Sequence, residues 1–317
     1  MLNKLITYCI LFLLSSTTLF AFQTIQKDTS YTVISSYKKY IKNFPQIEIV
    51  KPQQFQNITE IENITYKKLN ARELKLDAFI NTSENNPAVI LVHGGGWKSG
   101  DKSHMKPMAQ YIASKGYSCF AIEYRLSDEA QYPEGIFDIK QAIQFIKANA
   151  LKFHVDTTKV AVLGTSSGAQ MASLVGTTNN NSKFEEKTGY KTSTEVQAII
   201  NLDGILAFKH PKSKEGKMAS WWLDGTYEEK PEIWKAASAL THIDENTPPT
   251  LFISSQNERF QAGREEMIEI MEKYQIYYQV ENFPDSPHTF WLFNPWFKDT
   301  VNYITTFLDK TFKKNHK

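Results

Sequence analysis

Two short runs of small residues carry the chemistry of this chain. The first, Gly164-Thr165-Ser166-Ser167-Gly168, directly follows the apolar stretch Val160-Ala161-Val162-Leu163 and precedes a helical pattern. On a sharp strand-to-helix turn a serine stands clear of the sheet, near the positive end of the next helix. Glycines on either side relieve the crowding. The spacing selects Ser166 as nucleophile and leaves Ser167 to contribute its backbone N–H. As a bare pattern this is weak, because a glycine-rich turn produces it by chance; the flanking strand and helix give it weight. The second run, His93-Gly94-Gly95-Gly96-Trp97, closes the apolar stretch 88–92. Attack on an acyl carbonyl creates a negative oxygen that needs N–H donors fixed beforehand, and consecutive glycines let the main chain approach it. Gly95, Gly96 and Ser167 are therefore the expected oxyanion donors. No Lys-Ser or Lys-Thr pair follows the triplet, which removes the phosphate-loop reading. His93 is expected to brace the loop.

A hydroxyl nucleophile needs a base, and the base needs an acid to orient it. With the chain order serine, acid, histidine, the candidates for the base are His210, His242 and His288. His288 is the choice, because Phe283-Pro284-Asp285-Ser286-Pro287-His288 lies after a strand and before the closing helix. The acid is expected on the loop 255–260, where Glu258 is the only carboxylate. A surface Glu258 paired with Arg259 is the competing reading. Asp203, just after the strand ending at Leu202, is the rival acid. Asp285 stands too close in sequence to bend back onto His288.

Strands are predicted over 64–69, 74–80, 88–92, 118–123, 159–163, 196–202, 250–254 and 277–281. Helices are predicted over 105–115, 137–150, 170–176, 264–274 and 296–310. Such alternation specifies an α/β fold, a mostly parallel central sheet with helices on both faces. A single catalytic domain over 61–317 accommodates it, with inserts near 179–194 and 207–236 expected to shape a pocket beyond the strand ends. Residues 22–60 read as an extension packed on the domain, with Tyr31, Tyr37, Tyr40 and Phe44 at loosely helical spacing.

The 317 residues are 41% hydrophobic and 22% charged, with 36 Lys plus Arg against 34 Asp plus Glu. That balance offers no basic face for nucleic acid. Residues 1–21 have a different character: Lys4, an apolar run from Leu5 to Leu14, then small residues ending at Ala21. This is a signal-peptide pattern, too short to span a bilayer comfortably. It predicts a secreted or periplasmic protein with no stable membrane span after cleavage. Cys119 would then be the sole cysteine, leaving no internal disulfide.

The two glycine runs, together with Tyr124-Arg125-Leu126, Tyr132-Pro133 and a helix starting near Asp138, resemble one branch of the α/β hydrolases. It is the hormone-sensitive-lipase-like and acetyl or feruloyl carbohydrate-esterase branch, and the resemblance covers about residues 60–310. It implies a Ser-His-acid carboxylesterase with no cofactor and no metal, acting on a small acyl ester or an acylated carbohydrate. Secreted bacterial members often remove acetyl or feruloyl groups from plant polysaccharides. Asp usually holds the acid position in that branch; Asn257 and Glu258 stand there in this chain. Trp97, Trp221 and Trp222 are the expected substrate-binding residues, since aromatic faces stack on sugars, although they also fill cores. An exopeptidase with the same triad and a non-catalytic binding module are the alternative readings.

Overall fold

The computed structural model describes residues 28–70 and 72–313, so the leader expected over 1–21 lies outside the described residues. Eight strands form the main sheet: β1 (Ile58–Lys68), β2 (Glu73–Asn81), β3 (Asn86–Val92), β4 (Ser118–Ile122), β5 (Val155–Thr165), β6 (Ala198–Leu202), β7 (Thr250–Ser255) and β8 (Tyr278–Phe283). Their spatial order is β1-β2-β4-β3-β5-β6-β7-β8. β2 runs antiparallel to β1 and to β4, and every later pairing is parallel. Side chains alternate across the sheet with period two, and both faces are buried. Val89, Leu91, Ala161 and Leu163 join one apolar cluster, while Ile90, Val92, Val160 and Val162 join the other.

The helices that cover these clusters are α1 (Val33–Tyr40), α2 (Lys106–Ala113), α3 (Glu134–Ala148), α4 (Ser167–Thr177), α5 (Gly216–Trp222), α6 (Pro231–Ala236), α7 (Arg264–Lys273) and α8 (Trp296–Lys313). Met108 and Ile112 of α2 meet Phe297, Ile304 and Phe307 of α8 on one face of the sheet. Ile139 and Ile143 of α3, Met171 and Val175 of α4, and Met267 and Met271 of α7 cover the other.

β1 starts at Ile58 rather than near residue 64, so part of the stretch read as extension is sheet. The pairing register slips between Ile61 and Ile64, where the Asn63 N–H turns aside to the Asp77 carboxylate at 2.8 Å. Such a bulge breaks the alternation that reveals a strand in sequence. Residues 31–50 of the extension pack on the α8 side. Thr32 and Ser35 close a capping box on α1, Phe44 meets Trp296 edge-on at 5.9 Å, and Glu48–Ile49 pairs with Phe293–Asn294. Cys119 is buried and unbridged in β4. No helix among the described residues is long and apolar enough to cross a membrane.

Candidate active site

Parallel pairing of β5 with β6 brings Thr165 opposite Leu202, so the residues that follow each strand emerge side by side. Ser166 follows the first and Asp203 the second. The chain turns from β5 into α4 with Ser166 at φ 53°, a conformation that an L-residue holds only when its surroundings force it. Steric crowding explains the flanking glycines. A Cβ on Gly164 would lie 2.1 Å from the Gly168 carbonyl oxygen, and one on Gly168 would lie 2.3 Å from that of Val92.

His288 enters from the loop after β8. Its Nε2 lies 2.8 Å from Ser166 Oγ, and its Nδ1 lies 2.9 Å from Asp203 Oδ2. The second oxygen of Asp203 accepts the Ser255 N–H at 2.8 Å, which holds the carboxylate edge toward the imidazole. Phe260 stacks flat on the imidazole with centroids 3.5 Å apart, and Trp291 meets it edge-on at 5.3 Å. Burial pushes the imidazole below its ordinary pKa and Asp203 pulls it back up, while Arg259 and Lys39 add to the lowering. A hydroxyl, an imidazole whose burial favours the neutral form and a buried carboxylate thus stand in one line of proton exchange.

The carboxylate in that line is Asp203, not Glu258. Glu258 opens a short 3₁₀ turn after β7 and is exposed, as is its neighbour Arg259. β6 lies beside the nucleophile strand, so a carboxylate directly after it reaches the imidazole without a loop. Asp203 sits at φ 52° and is 1% exposed. The signal available in sequence was Leu202-Asp203-Gly204. The glycine lets this turn press on α4, where a Cβ at Gly204 would lie 2.4 Å from that of Ala169. His210 and His242 are occupied elsewhere, at Glu266 Oε1 and at the Ala236 carbonyl oxygen, each at 2.8 Å. Asp285 is exposed on its loop.

The glycine loop after β3 faces this turn. Gly95 and Gly96 both adopt positive φ, 133° and 61°, and a Cβ on Gly95 would lie 2.0 Å from the Ser99 carbonyl oxygen. The Gly94 N–H is anchored on Thr165 Oγ1 at 3.0 Å. His93 is 2% exposed and stacks on Tyr124 at 4.5 Å, beneath the loop and away from the hydroxyl. The amides of Gly95 and Gly96 make no hydrogen bond among the described residues, and the Ser167 amide begins α4, where no intrahelical partner exists.

Two lobes of space meet at Ser166. The smaller, about 120 Å³, is bounded by Trp97, Ser167, Gln170, Ile205, Met218 and Phe260, among others. The larger, about 500 Å³, has His288 on its wall, together with Tyr31, Ser35, Lys39 and Tyr40 from the N-terminal segment. That segment's part in the site has no signature in its own sequence. Of the three expected substrate residues, Trp97 lines the smaller lobe, and Trp221 is 47% exposed on the helix that carries Met218. Trp222 is 1% exposed and stacks on Trp97 at 5.1 Å, so it serves the core and cannot reach a ligand.

The two inserts also differ. From 207–236, Lys214, Glu215 and Met218 reach the smaller lobe. The 179–194 segment lines neither lobe, because α4 carries the chain back to the opposite end of the sheet before that segment begins. There Glu185 and Glu186 hold Lys140 and Lys67, and Thr192 bonds the Gln144 carbonyl.

Fold and site together define an α/β hydrolase. Residues 74–261, more than half the chain, match the BD-FAE family model, and the chain belongs to that family. Two curated relatives come from Mycobacterium tuberculosis (strain ATCC 25618 / H37Rv). Esterase LipC is 28% identical over 173 residues, 53% of this chain and 43% of LipC. The probable carboxylic ester hydrolase LipM is 28% identical over 179 residues, 54% of this chain and 41% of LipM. The chain thus spans under half the length of these relatives. Among solved structures, a truncated carbohydrate esterase from gut microbiota shares the fold with a TM-score of 0.69 at 20% identity, covering 81% of this chain and 99% of that one.

Proposed function

We propose that this protein is a secreted serine carboxylesterase that removes acetyl groups from carbohydrate. The observation that carries the reading is the unbroken contact from Ser166 Oγ through His288 to Asp203. His288 Nε2 takes the hydroxyl proton as Oγ attacks the acyl carbonyl, and the carbonyl oxygen becomes negative against the amides of Gly95, Gly96 and Ser167. The carbon–oxygen bond to the alcohol then breaks and His288 returns the proton to the leaving oxygen. Water, deprotonated in the same way, releases the acid and restores Ser166.

The lobes support an orientation for the ester. The leaving oxygen must lie within reach of the imidazole, and His288 lines only the larger lobe. The alcohol therefore belongs there and the acyl group in the lobe of about 120 Å³. A protein cavity of about 150 Å³ accommodates benzene, so the acyl lobe suits an acetyl or another short chain. A feruloyl group, with its substituted ring and propenoyl arm, exceeds it. Secretion rests on the charged-then-apolar pattern of residues 1–21.

The test is acyl release by purified protein from 4-nitrophenyl acetate, acetylated xylan and methyl ferulate. Acetate release that disappears in Ser166→Ala, with ferulate untouched, is the expected outcome. Undiminished turnover by Ser166→Ala overturns the assignment, and preferred release of ferulate overturns the acyl orientation.

A further inference from the structure

The larger lobe carries two cations and no anion. Lys39 of α1 and Arg259 of the turn after β7 both line it, and among the described residues no Asp or Glu does. Several cations packed into the folded body are paired: Lys67, Lys102 and Arg125 with Asp138 or Asp77, and Lys140 with Glu185. Lys39 and Arg259 instead lie against aromatic rings, Nζ 5.0 Å from the Tyr40 centroid and the guanidinium 4.5 Å from that of Phe260. Phe260 is the ring stacked on His288, so the guanidinium stands one ring away from the reacting imidazole. Arg259 also borders the smaller lobe, whose carboxylates are Glu215, with its Oε1 accepting the Lys209 N–H at 2.8 Å, and Asp203, already engaged by His288. A concave space walled by charges of one sign holds a potential that attracts the opposite sign.

We infer that the larger lobe binds a carboxylate on the alcohol half of the substrate, and that the acetylated sugar carries a uronate. Arg259 presents a planar fork suited to two carboxylate oxygens, and Lys39 a point charge that tolerates several positions. Ser30, Tyr31 and Asn257 line the same lobe and supply partners for sugar hydroxyls. One of the two cations comes from α1, which precedes the family match beginning at residue 74. The N-terminal segment thereby confers selectivity on a reacting centre built by the rest of the chain. The inference rests on the esterase reading for the assignment of alcohol to this lobe.

Binding and turnover, measured separately on the full chain, test it. Calorimetry on Ser166→Ala compares galacturonate oligomers with neutral xylose oligomers and with methyl-esterified galacturonate. The charged oligomer is expected to bind about tenfold more tightly than either, with the advantage fading as salt is raised. The double variant Lys39→Gln/Arg259→Gln is expected to erase the difference. Equal binding of charged and neutral oligomers overturns the inference, as does a difference that survives the double variant. Turnover of 4-nitrophenyl acetate by the native chain reports on the esterase reading alone. If it proceeds while charge makes no difference, only the subsite falls. Faster cleavage of N-acylated dipeptides than of acetyl esters assigns the cations to a peptide terminus and overturns both.

Discussion

Around Ser166 the chain packs against itself with no room for a methyl group: Gly94, Gly164 and Gly168 each face a backbone atom that a Cβ would strike. Around the larger lobe the walls come from α1, the glycine loop, α5 and the turn after β7, and they enclose about 500 Å³. The first region consists of strand ends fixed by the sheet, and its contacts are hydrogen bonds of 2.8 to 2.9 Å. The second consists of side chains from segments that meet only after folding, several of them exposed. On the proposed function, the reacting groups stand on ends fixed by the sheet, and selectivity falls to segments that can vary without disturbing them.

That contrast can be broken most directly at Asp203. Asp203→Asn should lower kcat by roughly 10³- to 10⁴-fold with little change in KM, because the amide favours the wrong imidazole tautomer. Glu258→Gln should stay within about twofold. Comparable losses in steady-state kinetics of the two variants would return the acid to the loop after β7. Trp97→Ala acts on the smaller lobe: it removes a buried ring that stacks on Trp222 and donates to Gln170 Oε1 at 2.9 Å. Denaturant unfolding should show a loss of about 3–5 kcal/mol. Relative rates on butyrate and acetate esters should shift toward the longer chain, and an unchanged ratio would remove Trp97 from the acyl lobe.

Gly168→Ala probes the tight region by itself, since its Cβ would meet the Val92 and His93 carbonyl oxygens at 2.3 and 2.4 Å. The expected cost is about 1–3 kcal/mol in stability, together with a disproportionate loss of kcat as the turn holding Ser166 moves. Full activity at reduced stability would show that the turn tolerates more play than its contacts indicate. The smallest effect concerns pH. Burial holds the His288 pKa below its ordinary 6.5, and the neutral imidazole is the form that accepts the proton. The acid limb of hydrolysis should therefore have its midpoint below that pH. Arg259→Gln removes a charge opposing protonation and should move the decline upward. A profile of kcat/KM against pH for the two proteins measures both, and a downward shift contradicts the electrostatic account.

Much of the tight region could be read before folding was known. Val89 to Val92 and Val160 to Leu163 are apolar runs closed by glycine, and each is a buried parallel strand. Ser166 and His288 stand together as their places after β5 and β8 required. Glu258 failed for a definite reason: loop position narrows the acid to two neighbouring strand ends, and only the backbone register shows which carboxylate points inward. The Trp221-Trp222 pair failed in part for the same reason, since adjacent helical residues point to different sides and sequence does not say which side is core. Residues 179–194 were expected at the pocket because they interrupt the alternation, but they do so at the end of α4 where no ligand crevice opens.

The linear order of residues determined most elements of this protein and singled out Ser166 and His288, because periodicity, strand ends and glycine turns are local properties. The folded chain alone decided that Asp203 faces the imidazole, that Trp222 is core, and that Lys39 and Tyr31 share a cavity with Ser166. Those are contacts between segments far apart in sequence, set by strand register and by the seating of α1. No local pattern encodes either.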